Sequence, residues 1–205
     1  MRFATWRETK ITQLMIDKGI LTTDDLSIEN LSDKFNLDVI YGPKRSHCIH
    51  EDDEYALIYI DSRLSPYEQR YKFFHEFAHV ISHPGNQKNL PEDFSKLQEN
   101  QANCLALYAA MPRHIFIPAV KQYQSINTLE ELFKLPREYI IRRFMTIRNQ
   151  VKCQAFQNVI QLSEMKRRRK SLQPEHIYES TKLILQQLAD QVGADNINAD
   201  IRKLL

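Results

Sequence analysis

The sequence predicts an α+β fold: a mainly helical core holding a small antiparallel sheet, followed by a helical C-terminal extension. Three features carry that expectation. Short β-like stretches cluster between residues 37 and 60. Two helix-like stretches follow, 65–83 and 94–111, set off by Pro66, Pro84, Pro91 and Pro112. From residue 137 onward apolar side chains recur at helical spacing with no strand signal.

Taken in order, residues 5–18 read as a helix, with Ile11, Leu14 and Met15 on one side and Gly19 as its stop. Ser27 caps a short second helix through Leu31 and Phe35. The first strand is 37–41, closed by Gly42-Pro43. The next two, 46–50 and 55–60, flank the acidic turn Glu51-Asp52-Asp53-Glu54. Ser65-Pro66 opens the first long helix, serine as cap and proline at its first position. It ends at His83-Pro84-Gly85, and the second long helix ends at Pro112. Residues 137–170 read as one or two helices. Residues 174–190 read as another, with Ile177, Leu183, Ile184 and Leu188 on its apolar side.

Composition narrows the class. A chain of 205 residues is one domain, or a domain of about 100–150 residues with an appendage. Hydrophobic content of 42% and aromatic content of 10% suffice for a core. No apolar run approaches the roughly 20 residues that cross a bilayer, and residues 1–10 lack a secretory apolar region. The expected compartment is the cytoplasm, with no membrane partner. Cys48, Cys104 and Cys153 are isolated, which argues against a disulfide framework or a cysteine metal site. The net charge of +2 hides an asymmetry. Residues 1–133 carry 14 Lys and Arg against 19 Asp and Glu, residues 134–170 carry 11 against 2, and residues 171–205 carry 3 against 5. A mildly acidic body followed by a basic segment suggests two functional parts.

The first long helix contains His75-Glu76-Phe77-Ala78-His79, an HExxH arrangement. Histidines at i and i+4 share a helix face about 6 Å apart along the axis. Both rings then reach one metal through bonds of about 2.0–2.1 Å. Glu76, rotated by roughly 100°, stands where it can take a proton from water at that metal. Phe73, Phe74, Phe77, Ala78, Val80 and Ile81 occupy the opposite arc, so the histidine face is the polar side of a buried helix. Five residues of this kind also occur by chance in unrelated proteins, so the rest of the chain has to carry the reading.

A catalytic zinc takes three protein ligands and keeps one position open. His83 continues the same face, yet it stands about 12 Å along the axis from His75, and Val80-Ile81-Ser82 contains no glycine to bend the chain. It reads as a rim or substrate-facing residue. Glu99, on the second long helix, is the stronger candidate, and Glu92 and Asp93 are weaker competitors. Asn103 shares the Glu99 face and is placed to hydrogen-bond a ligating histidine. Ala102, Ala106 and Ala110 form a small-residue stripe that lets the two helices approach closely. The alternative for Glu99 is a surface carboxylate on an alanine-rich helix. His47 and His50 read as half-exposed strand histidines, since no further ligand has matching spacing. For an oxyanion donor the candidates are His83, His114 and Tyr108, and nothing in the sequence chooses among them.

The run Gln69-Arg70-Tyr71-Lys72-Phe73-Phe74-His75-Glu76-Phe77-Ala78-His79-Val80-Ile81-Ser82-His83 resembles the HExxH block of the ImmA/IrrE-type metallopeptidases. Glu99-Asn100-Gln101-Ala102-Asn103, with Ala106 and Met111-Pro112, resembles that family's second block, and Phe133-Lys134-Leu135-Pro136 through Arg143-Phe144 resembles the helix that follows. Gln101 stands where some members carry a second glutamate, and Leu105 where phenylalanine is usual. The resemblance covers roughly residues 25–147. It implies a zincin-like metallopeptidase domain there, with residues 1–24 as an N-terminal helix and residues 148–205 as a helical extension. It further implies a cytoplasmic zinc protease of bacterial, phage or mobile-element origin. His75, His79 and Glu99 would hold Zn2+, Glu76 would be the base, and the substrate would be a helix-turn-helix transcriptional repressor whose cleavage derepresses genes. The alternative is a non-catalytic metal-binding regulator that controls a repressor or DNA by docking. Glu76 argues against it, because a structural metal site has no use for a base. The extension carries Lys166-Arg167-Arg168-Arg169-Lys170, which reads first as a solvated basic helix end and alternatively as a nucleic-acid contact.

Overall fold

Local signals at the chain ends of each element decide where the helices begin and stop. The computed structural model describes residues 4–50, 55–82, 91–171, 177–193, 197–202 and 204, and only the backbone of residues 50, 168–171, 199 and 200. Helix α1 spans Trp6–Asp17 and is capped by Thr5, whose hydroxyl accepts from the Glu8 amide at 3.2 Å. Its end is a Schellman closure. The Gly19 amide donates to the Ile16 carbonyl at 2.8 Å and the Ile20 amide to Met15 at 2.9 Å. That pair of bonds requires a left-handed residue, and Gly19 supplies it at φ 70°. Helix α2, Ile28–Phe35, is capped by Ser27 and closed by Asn36 at φ 54°.

Three strands follow: β1 Leu37–Gly42, β2 His47–His50 and β3 Ala56–Asp61, in the order β1-β3-β2. β2 pairs antiparallel with β3, placing Cys48 opposite Ile58, while β1 pairs parallel with β3 from Leu37 opposite Ala56 to Gly42 opposite Asp61. The mainly helical α+β expectation holds, but the sheet is mixed rather than wholly antiparallel. β2 turns back onto β3, and β1 then takes the other edge of β3. Two reversals of direction leave β1 and β3 running the same way. β3 occupies the centre because Ala56, Ile58 and Ile60 are its buried side.

Helix α3, Pro66–Ser82, starts with a capping box. The Ser65 hydroxyl and amide both donate to the Glu68 carboxylate, at 2.7 and 3.0 Å. Then come α4 Glu92–Ala110, α5 Arg113–Tyr123, α6 Ile126–Phe133 and α7 Arg137–Ser171, the last a single helix. Phe73, Phe74, Phe77 and Ala78 of α3 are fully buried, as are Ala102, Ala106 and Ala109 of α4, and all join one apolar core with α1, α2 and the sheet. Small side chains on α4 leave the two helix backbones close together, which brings their polar faces within reach of a shared ligand.

One charged cluster lies inside this core. Glu8 accepts from Arg143 Nη2 at 2.7 Å, from Arg113 Nη1 at 3.1 Å and from Gln150 Nε2 at 2.8 Å. Arg143 also donates through Nε to the Met111 carbonyl at 3.0 Å. Burial pushes the Glu8 carboxyl up, but Arg143, Gln150 and Arg113 outweigh it and hold the group below its ordinary value of 4.5. The cluster ties α1, α5 and α7 together through charge-assisted hydrogen bonds.

The chain divides into two units, residues 1–150 and 151–205. The second contains the later part of α7, then α8 Glu179–Val192 and α9 Ala199–Arg202. α8 starts at 179, five residues later than the sequence-based reading, and has no buried residue. Among the described residues no helix is long and apolar enough to cross a membrane.

Candidate metal centre

Helix α3 is held in place one turn before its reactive face. Arg70 Nε donates to the Phe133 carbonyl at 2.9 Å and Nη2 to the Leu26 carbonyl at 2.7 Å, with the guanidinium over the Phe74 ring. Phe77 packs edge-on against Phe35 at 4.8 Å. With its apolar arc fixed in this way, α3 has one orientation available, and His75, Glu76 and His79 face a cleft of about 630 Å³.

His75 and His79 are buried, and their rings lie 5.0 Å apart. Their Nε2 atoms converge on Glu99 of α4: His75 Nε2 is 3.3 Å from Oε2 and His79 Nε2 is 3.4 Å from Oε1. One ligand atom from each of the three residues lies within 4.8 Å of the others. Two nitrogens and a carboxylate oxygen form the donor set of a catalytic zinc site, and their convergence fits one divalent ion. The remaining nitrogen of His75, Nδ1, is buried with no hydrogen-bond partner. Burial pulls the His75 ring below its ordinary value of 6.5 against the opposing pull of Glu99, so the neutral, ligating form prevails.

Glu76 lines the same cleft and is 8% exposed. Burial pushes its carboxyl up to about 7, Glu99 adds to the rise, and Lys72 opposes it. Cys48, on edge strand β2, lines the cleft beside Glu76, and its thiol is pushed up to about 12 by burial and by that carboxylate. Cys48 therefore stays a protonated thiol.

The family model for the IrrE N-terminal-like domain matches residues 33–145, more than half the chain. The chain belongs to the ImmA/IrrE metallopeptidase family. It is 25% identical to YqaB, an uncharacterized protein of Bacillus subtilis (strain 168), over 128 residues that cover 60% of this chain and 73% of that protein. It is 24% identical to XkdA, a protein of the phage-like element PBSX in the same organism, over 128 residues covering 61% of this chain and 64% of that protein. A Mycobacterium tuberculosis transcriptional regulator superposes with a TM-score of 0.46 at 16% identity, covering 67% of this chain and 45% of that chain.

The other residues singled out in this ImmA/IrrE chain fall in several places. Asn103 lines the cleft and accepts from the Tyr71 hydroxyl at 3.4 Å. Glu92 pairs with Lys96 at 2.7 Å on the exposed side of α4. His47 lines the cleft and stacks on Tyr59 at 5.2 Å. His114 bonds the Ile20 carbonyl at 2.8 Å, and Tyr108 packs on Arg143 at 4.9 Å, so neither lines the cleft. His83 lies outside the described residues. Lys166 and Arg167 are exposed on α7, and the side chains of Arg168, Arg169 and Lys170 lie outside the described residues. Sequence reasoning passed over Cys48, Lys72 and Arg45, all of which line the cleft. Lys72 was legible: three residues before His75, it falls on the helical wheel between His79 and Glu76. Cys48 reaches Glu76 only through the docking of β2 beside α3, which leaves no local trace.

Proposed function

We propose that the chain is a zinc-dependent endopeptidase that cuts a helix-turn-helix transcriptional repressor and so derepresses genes in a bacterium or a mobile element. The observation that carries the hydrolytic reading is the position of Glu76. A carboxylate raised toward neutrality shares one cleft with two histidines and Glu99. His75, His79 and Glu99 would hold the ion. When bound, it supplies Lewis-acid polarisation of the scissile carbonyl and of the attacking water. Glu76 takes the proton from that water and delivers it to the leaving amine. The Cys48 thiol lines the cleft beside Glu76, and Asn103, held by the Tyr71 hydroxyl, lines it beside His75. β2 lies at the edge of the sheet with Arg45, His47 and Cys48 lining the cleft, so an extended peptide can pair along it and pass the base. The repressor as substrate and the cytoplasm as compartment follow from the family resemblance. A relative in a phage-like element supports the mobile-element setting.

The test is incubation of the purified chain with a helix-turn-helix repressor from the same genome. Wild type cuts the repressor. Glu76→Gln keeps its zinc, measured by elemental analysis, and loses cutting by at least about 10²-fold, as expected for a general base. Undiminished cutting by Glu76→Gln would remove the mechanism.

A further inference from the structure

The cleft holds two cations that the hydrolytic chemistry does not use. Lys72 projects from α3 on the histidine face, and Arg45 comes from the turn between β1 and β2; both line the cleft beside His75 and Glu76. Its carboxylates are nearly all committed elsewhere. Asp61 accepts from Arg63 Nε and Nη2 at 2.9 and 2.7 Å. Glu99 bridges the two histidines. Among the described residues neither Lys72 nor Arg45 makes an ion pair. Lys72 and Arg45 therefore stand in a concave site with no carboxylate salt-bridged to either, where low-dielectric walls strengthen their field.

We propose that Lys72 and Arg45 form a carboxylate-recognising subsite beside the scissile bond, so that the preferred substrate segment carries an aspartate or glutamate next to the bond to be cut. This rests on the peptidase reading above and adds its substrate class. Lys72 is half-buried, so solvent screens it less than a surface lysine. Arg45 precedes edge strand β2, so a peptide lying along that strand passes its guanidinium. Both cations line the same cleft as Glu76, which places them within electrostatic reach of the reacting centre.

The test is binding of fluorescein-labelled random peptide pools to zinc-loaded, full-length Glu76→Gln, followed by anisotropy. The central position of each pool is fixed as Glu, Gln or Lys. The Glu pool should bind about tenfold more tightly than the Gln pool at low salt, an advantage that narrows as salt rises. Adding Lys72→Gln and Arg45→Gln should erase the preference with circular dichroism and zinc content unchanged. Lys72→Glu with Arg45→Glu should transfer it to the Lys pool. Equal binding of the Glu and Gln pools, or a preference that survives loss of both cations, overturns the proposal. Wild type that cuts unfolded proteins without regard to acidic residues leaves the peptidase reading standing and removes this one. Absence of both cutting and peptide binding removes both.

Discussion

Residues 1–150 and 151–205 are both dominated by helices with apolar periodicity, yet they use it in opposite ways. In the first unit α3 buries Phe73, Phe74, Phe77 and Ala78 completely, and its polar arc lines a cleft. In the second, α8 has the same kind of pattern and leaves Leu183 60% and Ile184 64% exposed. The later part of α7 likewise exposes Phe156 by 67% and Val159 by 64%. Amphipathic spacing thus specifies a helix but not its partner. What separates the units is the supply of complementary surface: alanines on α4 and a sheet. The family match, 33–145, falls entirely within the packed unit.

The sharpest way to break this comparison is to cut into the core. Phe77→Ala removes a ring packed against Phe35 and Phe73 and should lower stability by about 3–5 kcal/mol, read from denaturant unfolding. A loss under about 1 kcal/mol would mean that α3 is not held as described. The Glu8 cluster comes next. Glu8→Gln leaves Arg143 and Arg113 without their carboxylate and should cost a few kcal/mol at neutral pH. It also changes the acid response. The folded Glu8 carboxyl lies below 4.5, so its contribution is complete above that value and is lost as pH falls through the lower, folded-state value. The melting temperature of wild type should therefore drop on acidification below about 4.5, and the drop should be shallower in Glu8→Gln. Identical acid profiles for the two proteins would contradict a depressed Glu8. The smallest effect is expected in the second unit. Leu183→Ser on the exposed side of α8 should move stability by no more than about 0.5 kcal/mol. A loss comparable with that of Phe77→Ala would show that α8 is covered in solution.

Much of this was readable residue by residue, because the signals are local. Gly19, Ser27 and Ser65-Pro66 each act on a backbone a few positions away, and each marks a helix boundary within about two residues. HExxH sets its own geometry through the helical repeat. Glu99 could be nominated because the alanine stripe beside it predicts a close approach. Other features were hidden because they depend on pairing across the chain. Glu8, Arg113 and Arg143 carry no local signal of their partnership, because three helices bring them together across more than a hundred residues of sequence. The parallel pairing of β1 with β3 follows from which strand takes the centre, a choice that no strand announces alone. The partnership of Cys48 with Glu76 depends on how the sheet docks against α3.

The two histidines stand on one helix and Glu99 on the next, twenty residues after His79. An ion held by all three would be a tether as well as a reagent. It would tie α3 to α4 at a fixed separation, removing chain entropy from any opened state. Binding and rigidity are then linked by mass action. A cell short of the ion would then hold a looser fold, with the seam between α3 and α4 the first place for a chaperone or a protease to gain purchase.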